Sequence, residues 1–150
     1  MNIQKVKQGA RMTYANGFYM MLLGLFIIFF DNFNMKINFN SIEQLWGFFS
    51  KFNSKIANIF ILFHTLIGIM LFTSGLIIVY LSDYIIKRKE KMTWVMLFLF
   101  GVTNWVTLLI ITILLKNNIL IIITFIGWLT FSIGMLLPIS YYLQKNYREY

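Results

Sequence analysis

The chain has 150 residues, of which 59% are hydrophobic, 19% are aromatic and only 12% are charged. Soluble domains average about 45–50% apolar and about 25% charged residues, so this chain carries too little charge to cover a surface in water. Disorder is excluded as well, because it needs low hydrophobicity and high charge. The composition therefore predicts an all-α, polytopic integral membrane protein.

The net charge of +8 would favour a nucleic-acid partner in a soluble protein. In a membrane protein the same excess orients the chain and attracts anionic headgroups, so we expect a lipid bilayer and no nucleic acid as partner. The chain has no cysteine, which excludes disulfides and thiolate metal sites. Its bias toward isoleucine, asparagine and lysine is typical of AT-rich genomes and indicates a prokaryotic origin.

Four apolar runs without Asp, Glu, Lys or Arg cover residues 14–30, 59–81, 93–115 and 119–137. A helix needs about 20 residues to cross the ~30 Å hydrocarbon layer. The runs therefore predict one domain, residues 1–150, that folds as a four-transmembrane-helix bundle. The first run is interpreted as an uncleaved helix, because Phe29, Phe30 and Asp31 leave no small-residue cleavage site for a signal peptidase.

Lysine and arginine predict the orientation, because cytoplasmic segments of membrane proteins carry an excess of them. The excess lies before the first run (Lys5, Lys7, Arg11), between the second and third runs (Lys87, Arg88, Lys89, Lys91) and in the C-terminal tail (Lys145, Arg148). This predicts a multi-pass protein of the cell membrane with both termini in the cytoplasm. The cluster between the second and third runs is also a candidate contact for anionic lipid.

The long connection over residues 31–55 carries two patterns. Polar and apolar residues alternate over 32–40, which is the period of a strand and predicts an extended stretch on the membrane surface, or alternatively a strand paired with another subunit. Ser41 and Gln44 then fit a capping box, and apolar residues follow at helical spacing. These predict a short interfacial amphipathic helix in the first extracytoplasmic loop, acting as a connector or as a lid over a cavity.

The end of the chain carries two further signals. The connection Lys116-Asn117-Asn118 is so short that the third and fourth helices must be antiparallel neighbours. Pro138 is the only proline, and we expect it to kink or end the fourth helix.

Glycines recur seven residues apart in three of the four runs: Gly17 and Gly24, Gly68 and Gly75, and Gly127 and Gly134. Seven residues are nearly two helical turns, so each pair marks one face of its helix. Small residues let helix backbones approach closely in lipid. The pairs predict tight helix packing, with a groove or hinge as the alternative.

Six polar or aromatic residues lie deep within three of the runs: His64, Asn104, Trp105, Thr107, Trp128 and Thr130. At 1.5 Å per residue, five of them fall roughly 10–17 Å below the outer boundary, namely His64, Asn104, Thr107, Trp128 and Thr130. This shared depth predicts a small polar and aromatic pocket in the outer half of the bundle. The alternative is that these side chains only form hydrogen bonds between helices or with their own helix.

Catalytic chemistry is not expected. A hydrolase triad needs an acid to orient its histidine and a metal site needs three or four ligands, but the runs hold one histidine and no carboxylate. We therefore expect no enzyme activity, no metal and no cofactor. In size and helix count the chain resembles the small multidrug-resistance transporters. That assignment is not made, because the first run lacks the glutamate that those proteins carry in their first helix.

The sequence thus predicts a small non-catalytic integral membrane protein. Its main expected role is that of a helix-packing subunit or accessory of a membrane complex, with another membrane protein or further copies of itself as partner. The alternative is a binder or transporter of a small lipophilic molecule that uses the outer-half pocket.

Overall fold

The computed structural model describes residues 2–43 and 45–143, and within these the regular structure is entirely helical. The helices are α1 Asn2–Phe29, α2 Asp31–Asn40, α3 Trp46–Phe52, α4 Ser54–Arg88, α5 Lys91–Leu114, α6 Asn118–Leu136 and α7 Ile139–Tyr142. Four segments, namely α1, α4, α5 and α6 continued through α7, are long and apolar enough to cross a membrane. The prediction of an all-helical chain with four candidate spans is confirmed.

Helix α1 lies at the centre of the contacts, since it packs against both α4 and α6, while α5 packs against α6 and α4. Helices α2 and α3 lie at one end of this bundle, which we call the α2 end. The opposite end, which we call the terminal end, carries the start of α1 and the connection between α4 and α5. The short turn between α5 and α6 confirms that these two helices are antiparallel neighbours.

The backbones of α1 and α4 touch at four glycines. A Cβ atom on Gly24 would lie 2.7 Å from the carbonyl oxygen of Gly68, and one on Gly75 would lie 2.7 Å from that of Gly17. No side chain fits at such distances, so the two glycine pairs face each other across an antiparallel contact. This contact fixes the register of the two helices.

Glycines also shape the contacts of α6. Gly134 lies against α1, where a Cβ atom would stand 3.1 Å from the carbonyl oxygen of Gly9. Gly127 lies beneath the ring of Trp105, and Gly101 of α5 lies beneath the ring of Phe131. Both rings are fully buried. The two aromatic side chains therefore fill notches in the facing helix and hold α5 against α6.

The prediction of an extended stretch or paired strand over 32–40 is wrong, because these residues form α2. The alternating pattern has a second interpretation. Asn34 and Asn38 are four residues apart, so on a helix they share one face, and both are buried against the bundle. Their hydrogen bonds to the bundle outweigh the strand-like periodicity.

The helix expected from Ser41 onward is shorter than predicted, since α3 begins only at Trp46. Ser41 instead ends α2, and its hydroxyl lies 2.6 Å from the carbonyl oxygens of both Asn38 and Leu115, so it donates to one or the other. A serine that donates in this way does not cap the start of a helix, so the prediction that Ser41 begins a capping box is wrong. Gln44 lies outside the described residues.

The prediction for Pro138 is confirmed, because α6 ends at Leu136 and the short helix α7 follows the proline. Proline has no N–H group to continue the hydrogen-bond ladder of α6. Helix α1 is longer than its apolar run, since it begins at Asn2 within the basic N-terminal segment.

The glycine contact makes a prediction for stability. Gly24→Ala should lower the free energy of unfolding by about 1–3 kcal/mol, because the added methyl group forces α1 and α4 apart. Chemical unfolding in mixed micelles measures the change. Gly47→Ala is the matched control, because Gly47 also lies in a helix but has nothing within 4 Å of an added Cβ atom. Equal stability of the two variants would contradict the close contact.

Candidate functional site

A mostly enclosed cavity of about 110 Å³ lies at the α2 end of the bundle. Its walls are largely aliphatic and come from all four long helices, for example from Leu23, Leu71, Leu108 and Leu120. An apolar cavity of about 150 Å³ in another protein binds benzene. The cavity here is somewhat smaller, which limits a ligand to at most one small ring.

Helix α2 forms the roof of this cavity, which Asn34 and Asn38 line with their buried side chains. The amide of Asn34 donates to the carbonyl oxygen of Phe26 over 3.2 Å. The amide of Asn117, between α5 and α6, donates to Asn38 Oδ1 over 3.1 Å. These bonds tie α2 to two sides of the bundle, so α2 covers the space between the long helices.

His64 of α4 lines the cavity near the start of α2. Its Nε2 atom is buried and has no hydrogen-bond partner among the described residues. Asp31, the first residue of α2, does not line the cavity and contacts α4 at Thr65, the residue that follows His64. One oxygen of Asp31 accepts a hydrogen bond from Thr65, while its Oδ1 atom is buried and, in the described part of the chain, unpaired.

The other polar side chains of the cavity have partners. The hydroxyls of Thr112 and Thr124 lie 3.1 Å apart, so one of them donates to the other. The hydroxyl that accepts this bond can donate its own hydrogen to a carbonyl oxygen of its own helix. A buried polar atom without a partner costs about 1–3 kcal/mol. Among the lining residues, His64 is the one whose buried polar atom, Nε2, has no partner in the described part of the chain.

A second polar cluster lies deeper in the bundle, around Asn16 of α1. Its amide nitrogen donates to the carbonyl oxygen of Gly127 over 2.8 Å and to Thr130 Oγ1 over 2.9 Å. Its Oδ1 atom accepts a hydrogen bond of 2.9 Å from the indole nitrogen of Trp105. Asn16 thus joins α1, α5 and α6 through polar groups that satisfy one another.

Tyr19, one turn along α1, extends this cluster. Its hydroxyl donates to the carbonyl oxygen of Ile123 over 3.0 Å, and its ring stacks on Trp105 with centroids 6.1 Å apart. The cluster holds three helices together, and its main polar atoms all have hydrogen-bond partners.

The six residues of the predicted pocket do not line one space. His64 lines the cavity, whereas Trp105 and Thr130 belong to the Asn16 cluster. Asn104 accepts a hydrogen bond of 3.0 Å from Ser74 and lines, with the exposed Thr107, a shallow groove between α4 and α5. Trp128 is half-buried, and its ring lies 5.8 Å from that of Phe125.

The shared depth predicted for these residues needs correction. Asn104 bonds to Ser74, and His64 lies ten residues before Ser74 in α4. Ten residues of helix span about 15 Å, so His64 lies well toward the α2 end from Asn104. The ends of the apolar runs gave a misleading reference plane, because α4 has 35 residues and extends beyond its apolar run at both ends.

The basic residues predicted to contact anionic lipid lie at the terminal end. Lys87 forms an ion pair of 2.7 Å with Asp83, and the Arg88 guanidinium stands 5.3 Å from the ring centre of Tyr84. Lys89 ends α4 in the left-handed conformation, with φ 55°, and Lys91 begins α5 with an exposed side chain. Lys145 and Arg148 of the tail lie outside the described residues.

Four residues of these two regions were not predicted from the sequence: Asn16, Tyr19, Asn34 and Asn38. A signal was present for Asn16, which is the only side-chain amide in the run 14–30. Polar residues inside a spanning segment face the bundle interior or a cavity. For Asn34 and Asn38 the signal was the spacing of four, which the alternating pattern of the same segment obscured.

No family model, no curated protein and no solved structure matches this chain, so the assignment of a role depends on the geometry described above.

The Asn16 cluster makes a prediction for stability. Asn16→Leu should lower the free energy of unfolding by about 1–3 kcal/mol, because it leaves the buried indole N–H of Trp105 without an acceptor. Asn104→Leu is the control and should cost about 0.6 kcal/mol, the mean for a hydrogen bond between membrane helices. Unfolding of both variants in mixed micelles measures the difference. A larger cost for Asn104→Leu would contradict the central role of Asn16.

Proposed function

We propose that this chain is a small non-catalytic integral membrane protein that binds a small lipophilic molecule in the cavity beneath α2. The observation that carries the proposal is a mostly enclosed, largely aliphatic cavity whose lining includes His64, a residue with a buried and unpaired ring nitrogen. Ligand sites in proteins have this character, with apolar walls and a few polar groups that fix orientation.

The exposed surface of the long helices supports the location in a membrane. Leu62 of α4, Leu99 of α5 and Ile122 of α6 have 60–68% of their surfaces exposed. Many further large apolar side chains on these helices are exposed as well. Such a surface is unfavourable in water and favourable in lipid, where the solvent is as apolar as the side chains.

The distribution of charge supports a definite orientation. The start of α1, with Lys5, Lys7 and Arg11, lies at the terminal end together with the basic connection between α4 and α5. The positive-inside rule places this end, with both termini, in the cytoplasm of a cell-membrane protein. The α2 end then faces outward, and the basic connection lies where anionic headgroups are available.

In this orientation α3 lies at the outer interface. Phe48 and Phe52 are exposed on one side of it, while Trp46 is buried against the ring of Phe39. Exposed aromatic side chains on a short surface helix are favourable at the headgroup level. Helix α3 therefore anchors the connection to the membrane surface, beside the roof formed by α2.

The polar groups around His64 favour binding over catalysis. The hydroxyl of Thr65, the next residue in the chain, donates to Asp31 or to the carbonyl oxygen of Ile61. Nucleophilic catalysis requires instead a hydroxyl that donates to the histidine.

A second candidate function is helix packing within a membrane complex, as a subunit or as a self-associating chain. It is favoured by the groove between α4 and α5, which is lined by Met70, Thr103, Asn104 and Thr107 and opens on the surface. Small and polar residues in such a groove can accept a helix of a partner. This function requires no ligand in the cavity, so a binding measurement separates the two candidates.

The binding proposal makes a prediction for a cavity-filling variant. Fluorobenzene should bind to the full chain in detergent micelles, as detected by ¹⁹F NMR, and Leu120→Trp should abolish binding because the indole occupies the cavity. Leu129→Trp is the matched control, since Leu129 lies on the same helix, is 40% exposed and does not line the cavity. Its affinity should change by less than about twofold, a difference of roughly 0.4 kcal/mol. Equal binding by both variants would exclude the cavity and leave the helix-packing candidate.

A further inference from the structure

The groove between α4 and α5 continues from Asn104 toward the terminal end of the bundle. Thr103 and Asn104 line both stretches of the groove, and the terminal stretch is the larger, with about 530 Å³ of space against about 190 Å³. Its other walls are large apolar side chains, namely Ile77, Leu81, Met96, Leu99 and Phe100. Because the groove opens on the surface of the bundle, its occupant comes from the surrounding lipid phase.

The polar side chains in the groove are already bonded within the chain. Asn104 Oδ1 accepts a hydrogen bond from Ser74 over 3.0 Å, and its amide nitrogen donates to the carbonyl oxygen of Phe100 over 2.8 Å. The hydroxyl of Thr103 donates to the carbonyl oxygen of Leu99 over 2.8 Å. The groove therefore requires no polar partner, and an apolar occupant complements it.

The length of the terminal stretch matches one leaflet of a bilayer. Met96 and Asn104 are eight residues apart, which corresponds to about 12 Å along α5. One leaflet is half of the ~30 Å hydrocarbon layer, or about 15 Å. An acyl chain that begins at the headgroup level beyond Met96 therefore ends near Asn104, where the bond to Ser74 joins α5 to α4.

The terminal end of the groove is basic. Arg88 is the last residue of α4 and Lys91 the first of α5, so the two long side chains flank the point where the groove ends. Neither of them forms an ion pair with another residue that the structure describes, whereas Lys87 is paired with Asp83. Glu90, which lies between them in the chain, accepts hydrogen bonds from two neighbouring hydroxyl groups. Basic pockets between helices at this level bind anionic lipid headgroups.

A helix of a partner fits this stretch less well than an acyl chain. Close approach of helices in lipid depends on small residues at the contact and on hydrogen bonds between the helices. Five of the seven side chains that line the stretch are large and apolar, and the other two are bonded within the chain. A flexible acyl chain can follow such walls without either requirement.

We propose that this chain holds one anionic phospholipid, with an acyl chain in the terminal stretch of the groove and its phosphate group at Arg88 and Lys91. The inference goes beyond the proposed function and does not depend on the cavity beneath α2. It requires only that the long helices lie in a membrane. Charge complementarity selects the headgroup, and the length and apolar walls of the groove select the acyl chain.

Native mass spectrometry of the full chain, released from detergent micelles, measures the lipid that stays bound. The chain should retain one phosphatidylglycerol, with an affinity at least about tenfold higher than for phosphatidylcholine with the same acyl chains. Two cations near the headgroup contribute about fivefold each. sn-Glycerol 3-phosphate, a related anion without acyl chains, should not displace the lipid.

Ile77→Trp places an indole ring in the groove and should weaken the binding of phosphatidylglycerol by at least about fivefold, a difference of roughly 1 kcal/mol. Leu76→Trp is the matched control, because Leu76 precedes Ile77 in α4, is 43% exposed against 42%, and does not line the groove. Leu99→Trp fills the same space from α5 and provides the test if Ile77→Trp does not fold.

Lys91→Gln removes one cation near the headgroup and should lower the preference for phosphatidylglycerol over phosphatidylcholine about fivefold. Lys116→Gln is the control, because it removes the same charge from an exposed side chain at the other end of α5. It should leave the preference unchanged.

Several results would overturn the assignment of a phospholipid. They are the absence of bound lipid, equal affinity for the two lipids, displacement by sn-glycerol 3-phosphate, and equal binding by the groove variants and Leu76→Trp. A lipid-free dimer that Ile77→Trp converts to a monomer would show that a second copy occupies the groove instead. Binding of fluorobenzene in the cavity at the α2 end is measured separately, so the two proposals can fail independently.

Discussion

The absence of hydrogen-bond partners in lipid is the constraint on which the interpretation of this structure depends. A polar side chain on a membrane helix must find its partner within the protein, or it remains unsatisfied at a cost. Most buried polar side chains here meet that requirement, for example Asn16 with Trp105 and Thr13 with Ser82. One exception at the α2 end, Nε2 of His64, belongs to a side chain that lines the cavity, whereas Asp31 does not line it. The aliphatic space and this unpaired imidazole nitrogen are the reason to propose a binding site there.

The packing of the helices explains why the cavity lies at this end. From Gly17 to Gly24 the backbones of α1 and α4 are in contact, and no space remains between them. Beyond Gly24, α1 ends at Phe29, whereas α4 continues toward its start at Ser54. The bundle therefore loses one helix at its α2 end, and α2 turns across the gap. It covers the space with two asparagines that bond to the bundle, and it does not fill the space with large apolar side chains.

The number and position of the long helices could be predicted from the sequence, because apolar runs without charge have few alternatives in a chain of this composition. Their full extent could not, since α1 and α4 continue beyond their apolar runs. Which glycine pairs lie opposite each other could be predicted only in part. Their spacing of seven marks a face, but nothing in the sequence pairs Gly17 with Gly75 or places Trp105 on Gly127. Such contacts depend on which helices are neighbours, which is a property of the whole fold.

The candidate site was the part of the structure that could be predicted least from the sequence. His64 was identified because it is the only histidine, but the roof of the cavity was missed, since the residues of α2 alternate as in a strand. The depth of His64 relative to Asn104 was misjudged, because the apolar runs do not begin and end in common planes. Both errors concern long-range geometry. The polar partners of one helix cannot be read from its own sequence.

The measurement that tests the account most directly is cysteine cross-linking of α2 to the bundle in native membranes, for which the chain is suited because it has no cysteine of its own. With Asn38→Cys and Asn117→Cys together, a short bifunctional thiol reagent should cross-link the two cysteines rapidly, because the ends of these two side chains meet in the structure. With Ile37→Cys and Asn117→Cys the cross-link should form slowly, since Ile37 lies on an exposed face of α2. Equal rates for the two pairs would mean that α2 does not lie over the bundle, and the enclosed site would not exist.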